Sequence, residues 1–282
     1  MIYCGYMSKI LILPFDHRST FTKNLLGFDY PPTKSQAKQV IKMKKVVFDA
    51  FLLARKQTTD KNKLAILIDE EFGVAIIKKA RRLKINLAIS TEKSGQELFT
   101  FEHGDDFGKH LTKLKPTYAK ALVRYNPAQT AKNKIQLSRL KKLSNYCQKN
   151  KIGFMFELLV AGKGSQLELM ERSMKQVIKA GIKPTLWKIE GLPKASDWKT
   201  IDALTKADII VLGRGESKKA VEKWITEAAK SDIVDGFAIG RTIFFKPLEE
   251  YRDKKINRTT AVEKITKNYL HFINLWGKNI KR

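Results

Sequence analysis

The chain has 282 residues, a length for one large α/β domain or two ordinary ones. Lys and Arg number 55 against 28 Asp and Glu, a net charge of +27, and the 43% hydrophobic content excludes a disordered chain. No apolar run of ~18 residues offers a membrane-spanning helix. The first twelve residues lack signal-peptide order, because Lys9 directly precedes the apolar stretch. Two cysteines, Cys4 and Cys147, cannot build a disulfide framework, so the chain is expected in the reducing cytoplasm.

Short apolar runs recur along the chain, each ending in polar residues and each followed by a helical stretch. Residues 1–7 are expected to be an extension outside the fold, and Met7 stands just before the first run. That run, Ile10 to Phe15, ends at Asp16-His17-Arg18. A loop over Phe21 to Ser35, with Pro31-Pro32, follows, and then a helix over Ala37 to Arg55. The second run, Leu64 to Ile68, ends at Asp69-Glu70-Glu71 before a helix over Phe72 to Arg82. Ile85 to Ser90 ends at Glu92-Lys93-Ser94-Gly95, with a helix over Phe107 to Leu114. Tyr118 to Val123 ends at Arg124-Tyr125-Asn126-Pro127 and precedes a helix over Ala131 to Lys149. Gly153 to Phe156 ends at Glu157, with a helix over Leu167 to Ala180. Thr185 to Trp187 ends at Lys188-Ile189-Glu190-Gly191, with a helix over Asp197 to Lys206. Asp208 to Leu212 ends at Gly213-Arg214-Gly215, with a helix over Lys218 to Ala229. Asp235 to Ile239 ends at Gly240-Arg241-Thr242, and a last helix over Thr259 to Trp276 closes the chain.

Runs apolar on both faces are what parallel strands covered by helices require. Eight such units in about 280 residues predict a single (β/α)8 TIM barrel over the whole chain. The competing doubly wound sheet would carry a Gly-x-Gly-x-x-Gly turn after its first strand, and none is present.

The positive charge is spread along the chain, as at Lys42, Lys44, Lys45, Lys78, Lys79, Lys141, Lys142, Lys219, Lys254 and Lys255. Most of these fall on the polar side of helical segments. A solvated lysine-rich surface and a functional basic patch both fit; either would bind polyanions non-specifically and salt-dependently.

Barrel sites lie at the C-terminal strand ends. The charged groups there are Asp16, His17, Arg18, Asp69, Glu70, Glu92, Lys93, Lys120, Arg124, Glu157, Lys188, Glu190, Arg214 and Arg241. Each could singly be a helix cap or a salt-bridge partner. Lys188, between apolar neighbours, must point into the barrel or out of it. Inward, desolvation and neighbouring cations would lower its pKa and supply the neutral amine that attacks a carbonyl to form a Schiff base. The alternative is a structural ion pair with Glu157 or Glu190. Glu157 could shuttle protons beside such a lysine, Lys120 would add positive charge, and Asp16 could accept a hydroxyl proton. Two Gly-Arg pairs, Gly213-Arg214-Gly215 and Gly240-Arg241, fit a phosphate site at the seventh and eighth strands. His17, His103, His110 and His271 show no metal-ligand spacing, so no metal or other cofactor is expected. The acidic trio Asp69-Glu70-Glu71 fits either a divalent ion or a helix N-terminus.

The strand ends, taken in order, resemble one family. Pro14-Phe15-Asp16-His17-Arg18, Asp69-Glu70-Glu71-Phe72-Gly73, Glu92-Lys93-Ser94-Gly95-Gln96, Arg124-Tyr125-Asn126-Pro127, Phe156-Glu157-Leu158-Leu159, Trp187-Lys188-Ile189-Glu190-Gly191, Gly213-Arg214-Gly215 and Gly240-Arg241-Thr242 are similar to the DUF2090 family. This is the aldolase-like domain often fused to 5-dehydro-2-deoxygluconokinase in myo-inositol catabolism. More distantly they resemble class I tagatose-1,6-bisphosphate aldolases, in which Lys120, Glu157 and the Schiff-base Lys188 have counterparts. His17 stands where those enzymes have Gln, and Ser19 where Gly usually follows the Arg. The resemblance implies cleavage of 2-deoxy-5-keto-gluconate 6-phosphate to dihydroxyacetone phosphate and malonate semialdehyde. It implies Lys188, Glu157, Asp16 and Lys120 as catalytic groups. Arg18, Glu92, Arg124, Gly213, Arg214, Gly215, Gly240 and Arg241 would hold the substrate and its phosphate. The alternatives are an aldolase for another ketose phosphate, such as tagatose 1,6-bisphosphate or a sulfo-sugar phosphate, and a non-catalytic barrel binding sugar phosphates or polyanions. A homo-oligomer is compatible with either.

Overall fold

Eight apolar runs pair in parallel because each buries both of its faces. In the computed structural model, which describes residues 9–280, they are β1 (Ile10–Pro14), β2 (Leu64–Ile68), β3 (Asn86–Ser90), β4 (Tyr118–Tyr125), β5 (Gly153–Val160), β6 (Leu186–Glu190), β7 (Asp208–Leu212) and β8 (Gly236–Ala238). Each pairs with the next, and Ile10 on β1 meets Gly236 on β8, so the sheet closes into the expected barrel. The expected extension over residues 1–7 lies outside the described residues, as does Cys4.

Strand periodicity divides the core. Inward-facing Ile10, Ile12, Ala65, Leu67, Ala88, Tyr118, Met155, Leu186, Ile210 and Ala238 fill the barrel interior. The alternate residues, such as Leu13, Ile66, Ile89, Phe156, Trp187 and Val211, face outward under the helices. Two steps on from Tyr118, Met155 and Leu186 come Lys120, Glu157 and Lys188. The pleat therefore sends these three charges inward, above the apolar floor.

The helices are α1 (Lys34–Gln57), α2 (Glu70–Arg82), α3 (Phe107–Leu114), α4 (Thr130–Asn150), α5 (Gln166–Lys179), α6 (Asp197–Asp202), α7 (Lys218–Lys230), α8 (Arg241–Arg252) and α9 (Arg258–Asn279). Capping boxes start α1, with Thr33 and Gln36, and α5, with Ser165 and Glu168. Helix α9 packs against α1 and α7 and so fills the gap in the outer ring. Its Tyr269 hydroxyl donates to the Leu11 carbonyl of β1 at 2.7 Å.

Several elements differ from the sequence expectation; β5 and β6 run on to Val160 and Glu190, past the expected ends at Phe156 and Trp187. Helix α8 was not expected, since Pro247 interrupts its pattern. Proline cannot donate to the Ile243 carbonyl one turn earlier; Asn268 of α9 does so instead, at 2.9 Å. The segment expected as loop from Phe21 begins as a helical turn over Thr20–Leu25, because Phe21 and Leu25 are buried and Phe21 stacks on Phe244 of α8. Helix α6 ends four residues early, where the chain turns into β7 and Thr205 accepts from the Trp187 indole at 3.2 Å.

Lys44 departs from the solvated lysine pattern. It is fully buried, donates to the Phe15 carbonyl at 2.8 Å and pairs with buried Asp69. Asp69 also caps α2 by accepting from the Phe72 N–H at 2.8 Å. Removing one partner of a buried pair strands the other charge. Lys44→Met should therefore lower stability by about 3–5 kcal/mol in urea denaturation. Adding Asp69→Asn, which keeps a capping oxygen but removes the stranded charge, should restore part of that loss.

Candidate active site

Strands β1, β3, β4, β5 and β6 bring five ionisable groups together at the C-terminal end of the barrel. The Lys120 ammonium lies 2.8 Å from Asp16, 2.6 Å from Glu92 and 2.8 Å from Glu157. Glu157 turns its other oxygen, Oε1, to the Lys188 ammonium at 2.7 Å. Sheet register makes this bridge, because Glu157 and Lys188 are direct partners across β5 and β6. Lys120, Lys188, Glu157 and Asp16 are all buried, at 1%, 4%, 7% and 8% exposure. Of the two ion-pair partners open to Lys188 in the sequence reading, the fold selects Glu157. Glu190 instead accepts from the Val160 N–H at 2.9 Å and pairs with Arg214.

The charges set each other. Burial acts against the Lys120 ammonium, yet Asp16, Glu157 and Glu92 outweigh it and raise its pKa well above the ordinary lysine value. Burial likewise acts to raise the Asp16 carboxyl, but Lys120, His17 and Lys188 hold it well below the usual range. Lys120 and Lys188 lower the Glu157 carboxyl in the same way, against its burial. Burial pushes the His17 imidazole down to about 4; Asp16 opposes this, while Arg241 and Lys188 reinforce it. His17 is therefore neutral at pH 7.

Above this network the mouth opens in two lobes. One, of about 170 Å³, lies between β1 and the segment after β3. The other, of about 180 Å³, lies toward β7 and β8. His17, Arg124, Glu157 and Lys188 line both. The second lobe carries Arg214 and Arg241 with Gly213, Gly215 and Gly240. Gly215 has a φ of +85°, and a Cβ there would collide with the Arg241 guanidinium. A Cβ on Gly240 would strike the Pro14 carbonyl. Gly215 thus lets the two arginine-bearing turns close on each other, with Arg241 donating to the Arg214 carbonyl, while Gly240 lets the second turn approach the end of β1. Arg241 opens α8, so the helix missed in the sequence presents its N-terminus to this lobe.

The strand-end charges do not all converge. Arg18 lines the first lobe, but its buried guanidinium bonds Glu102 and the Glu92 carbonyl and so fastens the wall after β3. Glu92 spends its oxygens on Lys120 and, at 3.3 Å, on the Leu122 N–H. Asp69, Glu70 and Glu71 leave the mouth network: Asp69 pairs with Lys44, Glu71 accepts from the Tyr30 hydroxyl at 2.8 Å, and Glu70 meets two histidines. Glu102 lies outside the strand-end segments, and nothing in the local sequence signals its pairing with Arg18.

A closed parallel barrel with a charged cavity at the C-terminal end of its strands is a TIM-barrel protein. The chain belongs to the family described as "Uncharacterized protein conserved in bacteria" (DUF2090), whose model matches residues 5–280. Among solved structures, Cgl0159 from Corynebacterium glutamicum (Brevibacterium flavum) is similar, with a TM-score of 0.60 and 16% identity over 94% of this chain and 86% of that one. At that identity the likeness is one of fold. No curated protein matches the chain in sequence. No helix among the described residues is long and apolar enough to cross a membrane.

The lowered His17 pKa has a direct consequence. Between pH 6.5 and about 4 the unfolded chain takes up a proton at this residue and the folded chain does not, so stability falls as pH is lowered through that window. Thermal melts should show a smaller fall over that window in His17→Gln than in the wild type. Equal falls would show that the folded state tolerates a charged His17.

Proposed function

We propose that the protein is a class I aldolase that forms a Schiff base at Lys188. The observation that carries this reading is the buried Lys188–Glu157–Lys120 chain of charges on the cavity floor, with Lys188 2.7 Å from Glu157. A proton passed from the Lys188 ammonium to Glu157 leaves a neutral amine facing the cavity. That amine adds to a substrate ketone. Loss of water from the carbinolamine, with Glu157 returning the proton, gives the iminium. The iminium then accepts the electron pair of the breaking carbon–carbon bond, while the substrate hydroxyl loses its proton and becomes the departing aldehyde. Asp16, which lines the first lobe beside Lys120, is the carboxylate assigned to that proton acceptance. Lys120 keeps its charge throughout and holds both carboxylates in place.

The mouth supports a phosphorylated, carboxylate-bearing substrate. Arg214 and Arg241, with the glycine-bearing turns around them, suit a phosphate in the second lobe. Arg124, exposed at the end of β4, suits a carboxylate. A phosphorylated keto-sugar acid fits both. The family resemblance narrows this to 2-deoxy-5-keto-gluconate 6-phosphate, cleaved to dihydroxyacetone phosphate and malonate semialdehyde.

Incubation with dihydroxyacetone phosphate and borohydride should leave a reduced adduct that peptide mass spectrometry maps to Lys188. Lys188→Met should abolish it, and an adduct-free wild type would overturn the imine. Glu157→Gln should keep a trappable amine but lower turnover by roughly 10²- to 10⁴-fold, the range for loss of a general acid–base group.

A further inference from the structure

On the rim of the barrel, outside the mouth network, two imidazoles and a carboxylate share one point. Glu70 is the first residue of α2, His103 follows the wall after β3, and His110 lies on α3. His103 Nε2 is 3.0 Å and His110 Nδ1 2.7 Å from the same Glu70 oxygen. The two rings lie face to face, their centroids 3.5 Å apart and their planes within 2°. We propose that Glu70, His103 and His110 form a binding site for a divalent transition metal of the Zn²⁺ class.

The donor set carries the argument. Two imidazole nitrogens and one carboxylate oxygen, all within 4.8 Å of one another, match a three-ligand zinc site with a fourth position left for water. Zinc–ligand bonds of about 2.0–2.2 Å place tetrahedral donors roughly 3.3 Å apart. The two Glu70 contacts, at 3.0 and 2.7 Å, would open by up to about 0.6 Å, and the imidazole rings would turn out of their parallel stack so that both nitrogens aim at one ion. All three side chains remain partly exposed, at 15% for Glu70 and 33% for each histidine, so an ion has an entry path. Zinc is favoured over magnesium or calcium because two of the three donors are nitrogen.

The position gives the ion a task. The segment from Thr91 to Glu102 folds back on itself, with Glu92 bridging Phe101 and the Lys93 N–H donating to the Thr100 carbonyl at 2.8 Å. It forms one wall of the first lobe, and Arg18 ties its two base strands together by bonding the Glu92 carbonyl and Glu102. His103 is the next residue. A metal joining it to α2 and α3 would clamp the base of this wall.

Tag-free full-length protein titrated with Zn²⁺ should bind one ion per chain and melt at higher temperature, because an ion that binds only the folded state stabilises it. Co²⁺ in its place should give the visible absorption of a four-coordinate site. His103→Asn and His110→Asn should each weaken Zn²⁺ binding by more than the roughly 10- to 100-fold that loss of an outer hydrogen bond costs. His271→Gln serves as control, since His271 meets only one carboxylate, Glu222, in a comparable pair. It should bind as the wild type does. Absence of stoichiometric binding to the wild type would overturn the proposal without requiring any variant to fold. Equal affinity in His110→Asn and the wild type would overturn it as well.

Discussion

The mouth of this barrel is organised by one ammonium group. Lys120 sits at 1% exposure with three carboxylates within 2.8 Å, after β1, after β3 and on β5. In a low-dielectric interior an unpaired charge is costly, and so is a cluster of three like charges. Lys120 makes the carboxylates tolerable, and they keep it protonated. Lys188 extends the chain through the second oxygen of Glu157. Two cations then face three anions in a nearly balanced network. Its geometry holds only while β4, β5 and β6 keep their register. A slip of one residue would turn Lys120, Glu157 or Lys188 outward under the helices.

The same chain uses buried ion pairs in two ways. Lys44 and Asp69 are both closed off from solvent and bond the Phe15 carbonyl, the cap of α2 and each other, with the Lys44 ammonium also lying over the Phe21 and Phe72 rings. Lys188 and Glu157 are nearly as buried but open on a cavity. The first pair fastens α1 to the start of α2; the second leaves a nitrogen within reach of a ligand. Burial alone does not distinguish them. What lies above the pair does.

The acidic trio after β2 shows how little adjacency in sequence means for role. Asp69 turns inward to Lys44, Glu71 outward to Tyr30, and Glu70 sideways to His103 and His110. Three consecutive residues entering a helix point about 100° apart, so three neighbours with different partners are the natural result. The +27 charge behaves in the opposite way. Lys42, Lys45, Lys78, Lys79, Lys142, Lys219, Lys254 and Lys255 all lie on exposed helix or turn positions, as the amphipathic spacing implied.

Much of the architecture was legible before any coordinates. Apolar runs on both faces, separated by helical spacing, are local signals, and they set eight parallel strands and most helices. Strand alternation left Lys188 two directions, into the barrel or out of it, and the fold turned it inward with Lys120 and Glu157. The partnerships were not legible. Which carboxylate meets Lys188, that Arg18 is occupied by Glu102, that Asn268 rescues the carbonyl Pro247 leaves free, and that Glu70 gathers two histidines all join residues distant in sequence. Sequence by itself determined periodicity, hence which side of each strand and helix is buried. Only the tertiary structure decided which charges meet, because ion pairs and ligand sets depend on register between strands and on loop paths that no local pattern encodes.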